Sequence, residues 1–568
     1  MPLGIIDAKL GEGAVLTGTV HLVRSSSSTS DLAHDVPRRR GTLMRTTYMG
    51  VDTVLVPQPS LKDPNDPLKE AAFWVIFFNT IIFASLPGPM LSPATFALAP
   101  ILGVSITKVA ELSGYHLLIV AAIGPLVSIF AQKYGKRPQF LFAAITGTLG
   151  TAVCIAGSQR SHYSTIFAGR MIQGLGATAW ESLALAAIGD LFYLHERGWR
   201  IAMVVASSAC TVSMTSIISG VMAERLGYKM LFIAELPFDI AGLVMTAALL
   251  PEMQFKRAAF TQQDLASSSQ SSGDEEITAV KGPLDTNITA KNKIAETDVV
   301  IVPKKTFAQM LAPWSRQTYT EKSIVRLLAE LFINFINPAV LWILAVSAVL
   351  NACFVASSYI LSQIWSMPPY NLNIEQNGFF WAGALIGGLF AIPVGSICDW
   401  SAMTMSKWNG GVYEAEFRIP VNILGAALSG LGWFLLMWVV NHPYANGYFL
   451  GAFCLGCMAF SISVPSTSAG LYILDTFPQR SSEIFILQMM LKNFLFYSFS
   501  TFINTWTTEA GPGTVFMVLG IVSLGLFITC VPMYIFGKLN RKWINNLYAQ
   551  HRFLLELAEG SKVLSAKD

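Results

Sequence analysis

The chain has 568 residues, 53% of them hydrophobic and only 13% charged, with mean hydropathy +0.51 and a formal net charge of +3. A soluble domain covers its surface with about 25% charged residues, so most of this chain is expected in lipid. The near-neutral balance, with no basic stripe interleaved with aromatics, argues against a nucleic-acid partner.

Residues 1–70 are polar, with an SSSSTS run and Arg38-Arg39-Arg40, and read as a disordered tail without a cleaved leader. The first membrane helix is then expected to act as the insertion signal. Six apolar segments follow at 71–98, 113–132, 138–158, 163–190, 200–223 and 229–250, each long enough to cross a bilayer as a helix. A polar insert, 251–337, comes next. Its first part is low in complexity and carries Ser271 and Ser272 ahead of three acidic residues, a possible phosphorylation site more simply read as solvated linker. Asn287 opens a glycosylation sequon on the wrong side of the membrane for modification. The stretch 307–337 is more apolar and suits an interfacial amphipathic helix. Six further spans are read at 338–362, 377–399, 418–440, 446–472, 483–507 and 514–536, then a tail, 537–568.

The expected fold is therefore an all-α membrane protein of 12 transmembrane helices in two six-helix bundles, 71–250 and 338–536. The predicted connections on one side carry Lys133, Lys136, Arg137, Arg197, Arg200, Lys407, Arg418 and Arg480, and the C-terminal tail adds Lys538, Arg541 and Lys542. The other side has only Lys108, Arg160, Arg225 and Lys229. That asymmetry places both termini and the insert in the cytosol. No retention signal is visible, which favours the plasma membrane. The seven cysteines all fall in apolar segments and read as packing residues, the Cys454/Cys457 pair included.

The fourth span is the most specific stretch. Phe167 to Ala179 reads FAGRMIQGLGATA, and Asp190 to Arg200 reads DLFYLHERGWR. VLVPQPSLKDPNDPL precedes the first span (54–68), and NGGVYEAEFRIP follows the eighth (409–420). Together these resemble the major facilitator superfamily, in particular a fungal subgroup allied to the drug:proton antiporter-1 family that includes polyamine and organic-cation transporters. The match to the family's fourth-helix motif falls on Arg170, Gln173, Gly174 and Gly176. Between the second and third spans, Ser128 to Arg137 resembles the family's gating motif. Gly135 permits the tight turn, and Lys136 and Arg137 are placed to hold acidic groups or helix C-termini across the cytoplasmic seam. Ser128 stands where Gly is usual and Gln132 where Asp is usual, so the acidic member is missing. Gly395 to Asp399 repeats the pattern in the second half, making Asp399 a candidate gating carboxylate or, more simply, an interfacial anchor. In the fifth span only Gly220 remains of the family's antiporter motif, which weakens antiport as a reading while leaving small residues for close helix packing.

Charges within spans cost about 2.5–3.5 kcal/mol each on insertion scales and usually face a wet cavity or a partner. Arg170 and Glu181 lie eleven residues apart, hence on one face of the fourth span but roughly 16 Å apart along it. Arg170 is expected to hold a carboxylate or tune a proton site, Glu181 to attract a cationic substrate or carry the proton, and both to project into a shared wet hollow. Glu235 and Asp239 sit one turn apart around Pro237 in the sixth span, and Asp239, near mid-bilayer, is a candidate proton carrier. Lys492 and Asn493 lie deep in the eleventh, where Lys492 would neutralise a carboxylate in the absence of substrate. Trp180, Asn351, Tyr359 and Trp381 are weaker contact candidates, Trp more often serving as packing.

The function expected is secondary active transport of a small organic solute, proton-coupled, by alternating access. Efflux of drug-like or secondary-metabolite compounds and uptake of polyamines or organic cations are the two forms considered. The alternative is a receptor or sensor that keeps the transporter fold without transport. No Gly-x-x-x-x-Gly-Lys-[Ser/Thr] motif supports ATP use. No enzyme, cofactor or metal site is expected, and the protein is expected to act as a monomer with protons, lipid and a small solute as its partners.

Overall fold

In a computed structural model, residues 3–6, 19–21, 45–48, 51–54, 69–192, 194–253, 311–312, 318–320, 322–410, 412–444, 446–477 and 480–565 are described. The first half runs α1 (Lys69–Leu102), α2 (Ile106–Tyr134), α3 (Arg137–Gln159), α4 (Tyr163–Ser182), α5 (Ala184–Leu191), α6 (Leu194–Leu226) and α7 (Lys229–Leu249). A short amphipathic α8 (Ile324–Phe332) lies within the stretch expected to form one. The second half runs α9 (Pro338–Ser366), α10 (Ile374–Trp408), α11 (Ala415–Asn441), α12 (Gly447–Thr476), α13 (Ser481–Ala510), α14 (Pro512–Ile528) and α15 (Cys530–Ser565). Ser271, Ser272 and Asn287 lie outside the described residues.

Helix boundaries follow local chemistry. Gly135 ends α2 at φ +102°, and Pro138 stands in the first turn of α3, three residues later. Asn373 and Gln376 form a reciprocal cap at the start of α10. Gly511, at φ +81°, separates α13 from Pro512. Pro89 and Pro93 impose a 3-10 stretch, Pro89–Ala94, on α1, which also holds a π-helical turn, Thr80–Ser85.

Among the described residues, ten helices are long and apolar enough to cross a membrane. The two remaining expected spans, at 163–190 and 483–507, are helical as well: α4 with α5, and α13. They are the more polar pair, and they pack on each other across the seam between the halves.

Glycines set the tightest packing in the first half. A Cβ at Gly157 would come within 2.7 Å of the Ile166 backbone nitrogen, and one at Gly169 within 2.7 Å of the Cys154 nitrogen, so α3 and α4 touch backbone to backbone. In the second half Gly456 of α12 meets the Gly383 carbonyl of α10 in the same way. Between halves, α2 lies along α13, α6 against α10, and the kinked part of α1 against α9.

Within the N-terminal tail, expected to be disordered, a few short described segments make defined contacts. Ile5 is buried beside Ala402 and Phe417, and the Ile6 N–H donates to the Ile535 carbonyl at 3.1 Å. Strand β1 (Thr19–His21) pairs antiparallel with β4 (Val412–Glu414), and β2 (Arg45–Tyr48) pairs with β3 (Val51–Val54). The C-terminal tail is likewise helical, α15 continuing past Phe536 to Ser565.

Behind β4, Arg541 donates to Glu414 at 2.8 Å and to Glu416 at 3.0 and 2.6 Å, while Lys538 pairs with Glu414 at 2.8 Å. Both carboxylates are fully buried. Burial acts to raise the Glu414 carboxyl, but hydrogen bonds from Lys538, Thr19 and Arg541 outweigh it and hold the group below its ordinary 4.5. A depressed carboxylate stabilises above that ordinary value, and the contribution is lost as pH falls through the depressed one. Arg541→Ala leaves two buried carboxylates with Lys538 as the remaining cation beside them among the described residues, and breaking such a cluster costs about 3–5 kcal/mol. A clear fall in detergent melting temperature is expected; an unchanged melting temperature would refute this account of the cluster.

Candidate functional site

Where α4 meets α13, Glu181 of the first half faces Lys492 and Asn493 of the second. The Lys492 ammonium donates to Glu181 Oε1 at 2.6 Å, and the Asn493 amide to Oε2 at 3.1 Å. The Glu181 and Lys492 side chains are 20% and 28% exposed, so the pair is reachable rather than sealed. The Lys492 nitrogen also stands 5.7 Å from the Phe496 ring centre. The site thus already holds a primary ammonium between a carboxylate, an amide and an aromatic face.

Arg170 does not take part in this site. It is 0% exposed, donating to Gln173 Oε1 and the Pro87 carbonyl, both at 2.8 Å, and to the Ser113 hydroxyl at 3.4 Å. The eleven-residue spacing gives one face, but its neighbours change along α4: α1 and α2 cover Arg170, whereas α13 meets Glu181. Gln173 carries the network onward, donating to Thr151 at 3.0 Å and to Glu235 at 2.8 Å, and the Thr151 hydroxyl donates to Asp239. Sequence reasoning placed Glu235 and Asp239 on one turn but gave no signal that Gln173 would reach them from another helix.

At the end of the molecule that carries the tails, Arg137 caps α7 by donating to the Ala247 carbonyl at 3.0 Å, and it reaches the Leu311 carbonyl at 2.8 Å. The α7 contact lies within one half, not across the seam. The Lys136 and Arg137 backbone N–H groups donate to the Glu252 carboxylate at 3.0 and 3.2 Å. Glycine is favoured at 135 by its φ of +102°, and a Cβ there would also push the Glu252 carboxylate aside. Glu252 therefore supplies the acidic group that Gln132 lacks, from three residues past the end of α7. In the second half Arg418 joins Asp399 and Asp475, each at 2.6 Å, and also donates to the Tyr413 hydroxyl at 3.0 Å. Asp399 is mostly exposed and pairs inside its own half.

The weaker candidates divide. Trp180 is packed between Phe83 and Phe140, with ring centres 5.8 and 4.5 Å away. Trp381 and Tyr359 are buried within the second half's core. Asn351 is half-buried and bonds Ser466 at 3.0 Å. The opposite end of the seam was not anticipated as a contact: Arg225 of α6 grips Glu375 of α10 at 3.1 and 2.6 Å, and Glu224 accepts from the Ile374 N–H at 3.2 Å.

The family model described as "Major Facilitator Superfamily" matches residues 72–494. Protein HOL1 of Saccharomyces cerevisiae is 22% identical, over 89% of this chain and 93% of its own length. A protein named "Probable efflux pump mfs2" from Aspergillus flavus is 21% identical, over 77% of this chain and 95% of its own. The crystal structure of the human organic anion transporter MFSD10 (TETRAN) aligns with TM-score 0.49 and 15% identity, over 83% of this chain and all of that one.

Proposed function

The chain belongs to the Major Facilitator Superfamily, a family of membrane transporters, and from that premise we propose that it carries a small organic cation by proton-coupled alternating access. The observation that carries this reading is the Glu181–Lys492–Asn493 contact between the two halves. Lys492 acts as a built-in competitor. A cationic solute displaces its ammonium from Glu181, and the cross-seam bond then breaks or reforms with the state of the carrier. A solute drives rocking of the halves only if it binds the two arrangements unequally, and a site shared between halves has that property.

On this reading the tail-bearing end, rich in basic residues, lies in the cytosol, and the Arg225–Glu375 seam faces outside, at the plasma membrane. The proton gradient supplies the energy. The name of the Aspergillus flavus relative favours efflux; a cationic site serves uptake of polyamine-like solutes equally well.

Purified protein in vesicles with an imposed pH gradient tests the reading against organic cations, anions and neutral solutes. Accumulation of a cation that collapses with the gradient is expected. If no solute moves but one binds, the transporter-like receptor takes its place; preference for anions refutes the role given to Glu181.

A further inference from the structure

We propose that Glu235 and Asp239 form the proton-binding site of this carrier, held apart from the solute site inside the first half and tied to Arg170 through Gln173. The proposal rests on the transporter reading above and names where its driving ion binds.

The geometry is specific. Both carboxylates project from one side of α7 into the bundle, 2% and 1% exposed. Phe238, between them in sequence, points out of it. Glu235 Oε1 accepts from Gln173 and Asp239 Oδ2 from Thr151, whereas Glu235 Oε2 and Asp239 Oδ1 have no partner among the described residues. The groups that bear on them come from every packed helix. Among the described residues Arg170 on α4 is the one cation that bears on them and Cys154 on α3 also faces them, while Tyr359 on α9 bears on Arg170 and His116 on α2 is engaged with the Arg170 carbonyl at 3.3 Å. Asn79 on α1 bonds Thr246, two turns further along α7.

Two carboxylates and one guanidinium leave one negative charge over, in a place where a buried charge is tolerated only when paired. Arg170 touches neither carboxylate; its Nη donors go to Gln173, Pro87 and Ser113. A proton is the ligand that fits the surplus: one O–H bond forms on a carboxylate oxygen, its charge is neutralised, and no other bond changes. The O–H then also supplies a donor where both free oxygens can only accept.

The same chain of bonds leads to the seam. Arg170 holds the Pro87 carbonyl at the kink of α1, and a few residues on the Ser92 hydroxyl donates to the Ser358 carbonyl of α9 at 3.3 Å. Loss of the proton re-forms Gln173 and Arg170 around a charged Glu235 and so bears on a contact between halves. Glu181 stands roughly 12 Å along α4 from Gln173, the residue that reaches Glu235, so proton and solute meet through the conformational equilibrium rather than by competing for one group.

The test is the ratio of pH-gradient-driven accumulation to solute counterflow without a gradient, measured in vesicles. In Asp239→Asn and in Glu235→Gln with Asp239→Asn, that ratio is expected to fall about 5–150-fold, the usual range of coupling between two sites. Asp239→Glu, which keeps a carboxylate, restores it. A wild-type ratio in the double variant overturns the proposal. Should these variants fail to reach the membrane, Gln173→Met cuts the link to Glu235, with the same expected and overturning results. Counterflow without gradient-driven accumulation in the wild type would overturn the proton site and leave the carrier standing; absence of both would remove the carrier reading itself.

Discussion

Glu181→Gln is expected to cripple solute transport, lowering kcat/KM by about ten- to more than a hundredfold. The amide keeps the size and shape of the carboxylate but loses its charge. A hydrogen bond to a charged group contributes about 1.5–3 kcal/mol, and each 1.4 kcal/mol is tenfold in affinity. In the resting carrier that charge is met by Lys492 at 2.6 Å and Asn493 at 3.1 Å. A cationic solute must offer at least as much to replace them. Lys492→Met separates the two roles. With the internal competitor gone, apparent KM falls. The empty carrier then bears an unpaired carboxylate across the seam, so turnover falls as well. Initial rates over a range of solute concentrations distinguish the patterns. Wild-type flux in Glu181→Gln would remove this residue from the mechanism, and an unchanged KM in Lys492→Met would remove the idea of competition.

What the sequence made legible here is the part written within single helices. The Arg170-to-Gly176 motif, the i,i+4 pair Glu235 and Asp239, and the deep Lys492 can each be read from one segment. The expectation that Lys492 neutralises a carboxylate needed only the observation that a lone buried cation is costly. What was not legible is which helix stands opposite. Gln173 reaches Glu235 across 62 positions, and Glu252 reaches Lys136 across 116. The pairing of Thr19 with Glu414 spans 395, and nothing in the Ser-rich tail announces it. The α4–α5 boundary was hidden for a different reason. Leu183 breaks the helix at φ −106°, ψ −15° inside a run that contains neither Gly nor Pro. Sealing Arg170 away from Glu181 likewise depends on neighbours, not spacing. Polarity also misleads: the spans that look least like membrane helices, α4 and α13, are the two that build the site.

Gly378→Val is expected to hold the seam open at the end opposite the tails and to reduce transport about 5–150-fold. Gly378 of α10 lies against Gly220 of α6, the one residue the fifth span keeps from the antiporter motif. A Cβ at Gly220 would come within 2.7 Å of the Gly378 Cα and 2.9 Å of the Ile374 carbonyl, and a Cβ at Gly378 within 3.0 Å of the Ser216 carbonyl. These are backbone atoms of the opposing half, so no rotamer change relieves the clash and the helices must separate. Overpacking costs about 1–3 kcal/mol, and here the cost falls only on the arrangement in which this end is closed. That is enough to shift a two-state carrier by the factor given. The neighbouring Arg225–Glu375 pair, although bidentate, has Arg225 mostly exposed, and solvent screening leaves such a pair little net strength. Arg225→Ala should therefore change flux much less than Gly378→Val, and this ordering separates closure by backbone contact from closure by charge. Labelling by a membrane-impermeant thiol reagent reads the state directly. Ser216 is fully buried at this contact, so a Ser216→Cys probe, with half-exposed Cys210 replaced, should label slowly alone and quickly when combined with Gly378→Val. Equal labelling with and without Gly378→Val would show that this glycine contact does not govern the seam, because a passage that has stopped closing must admit reagent to the surface it used to cover.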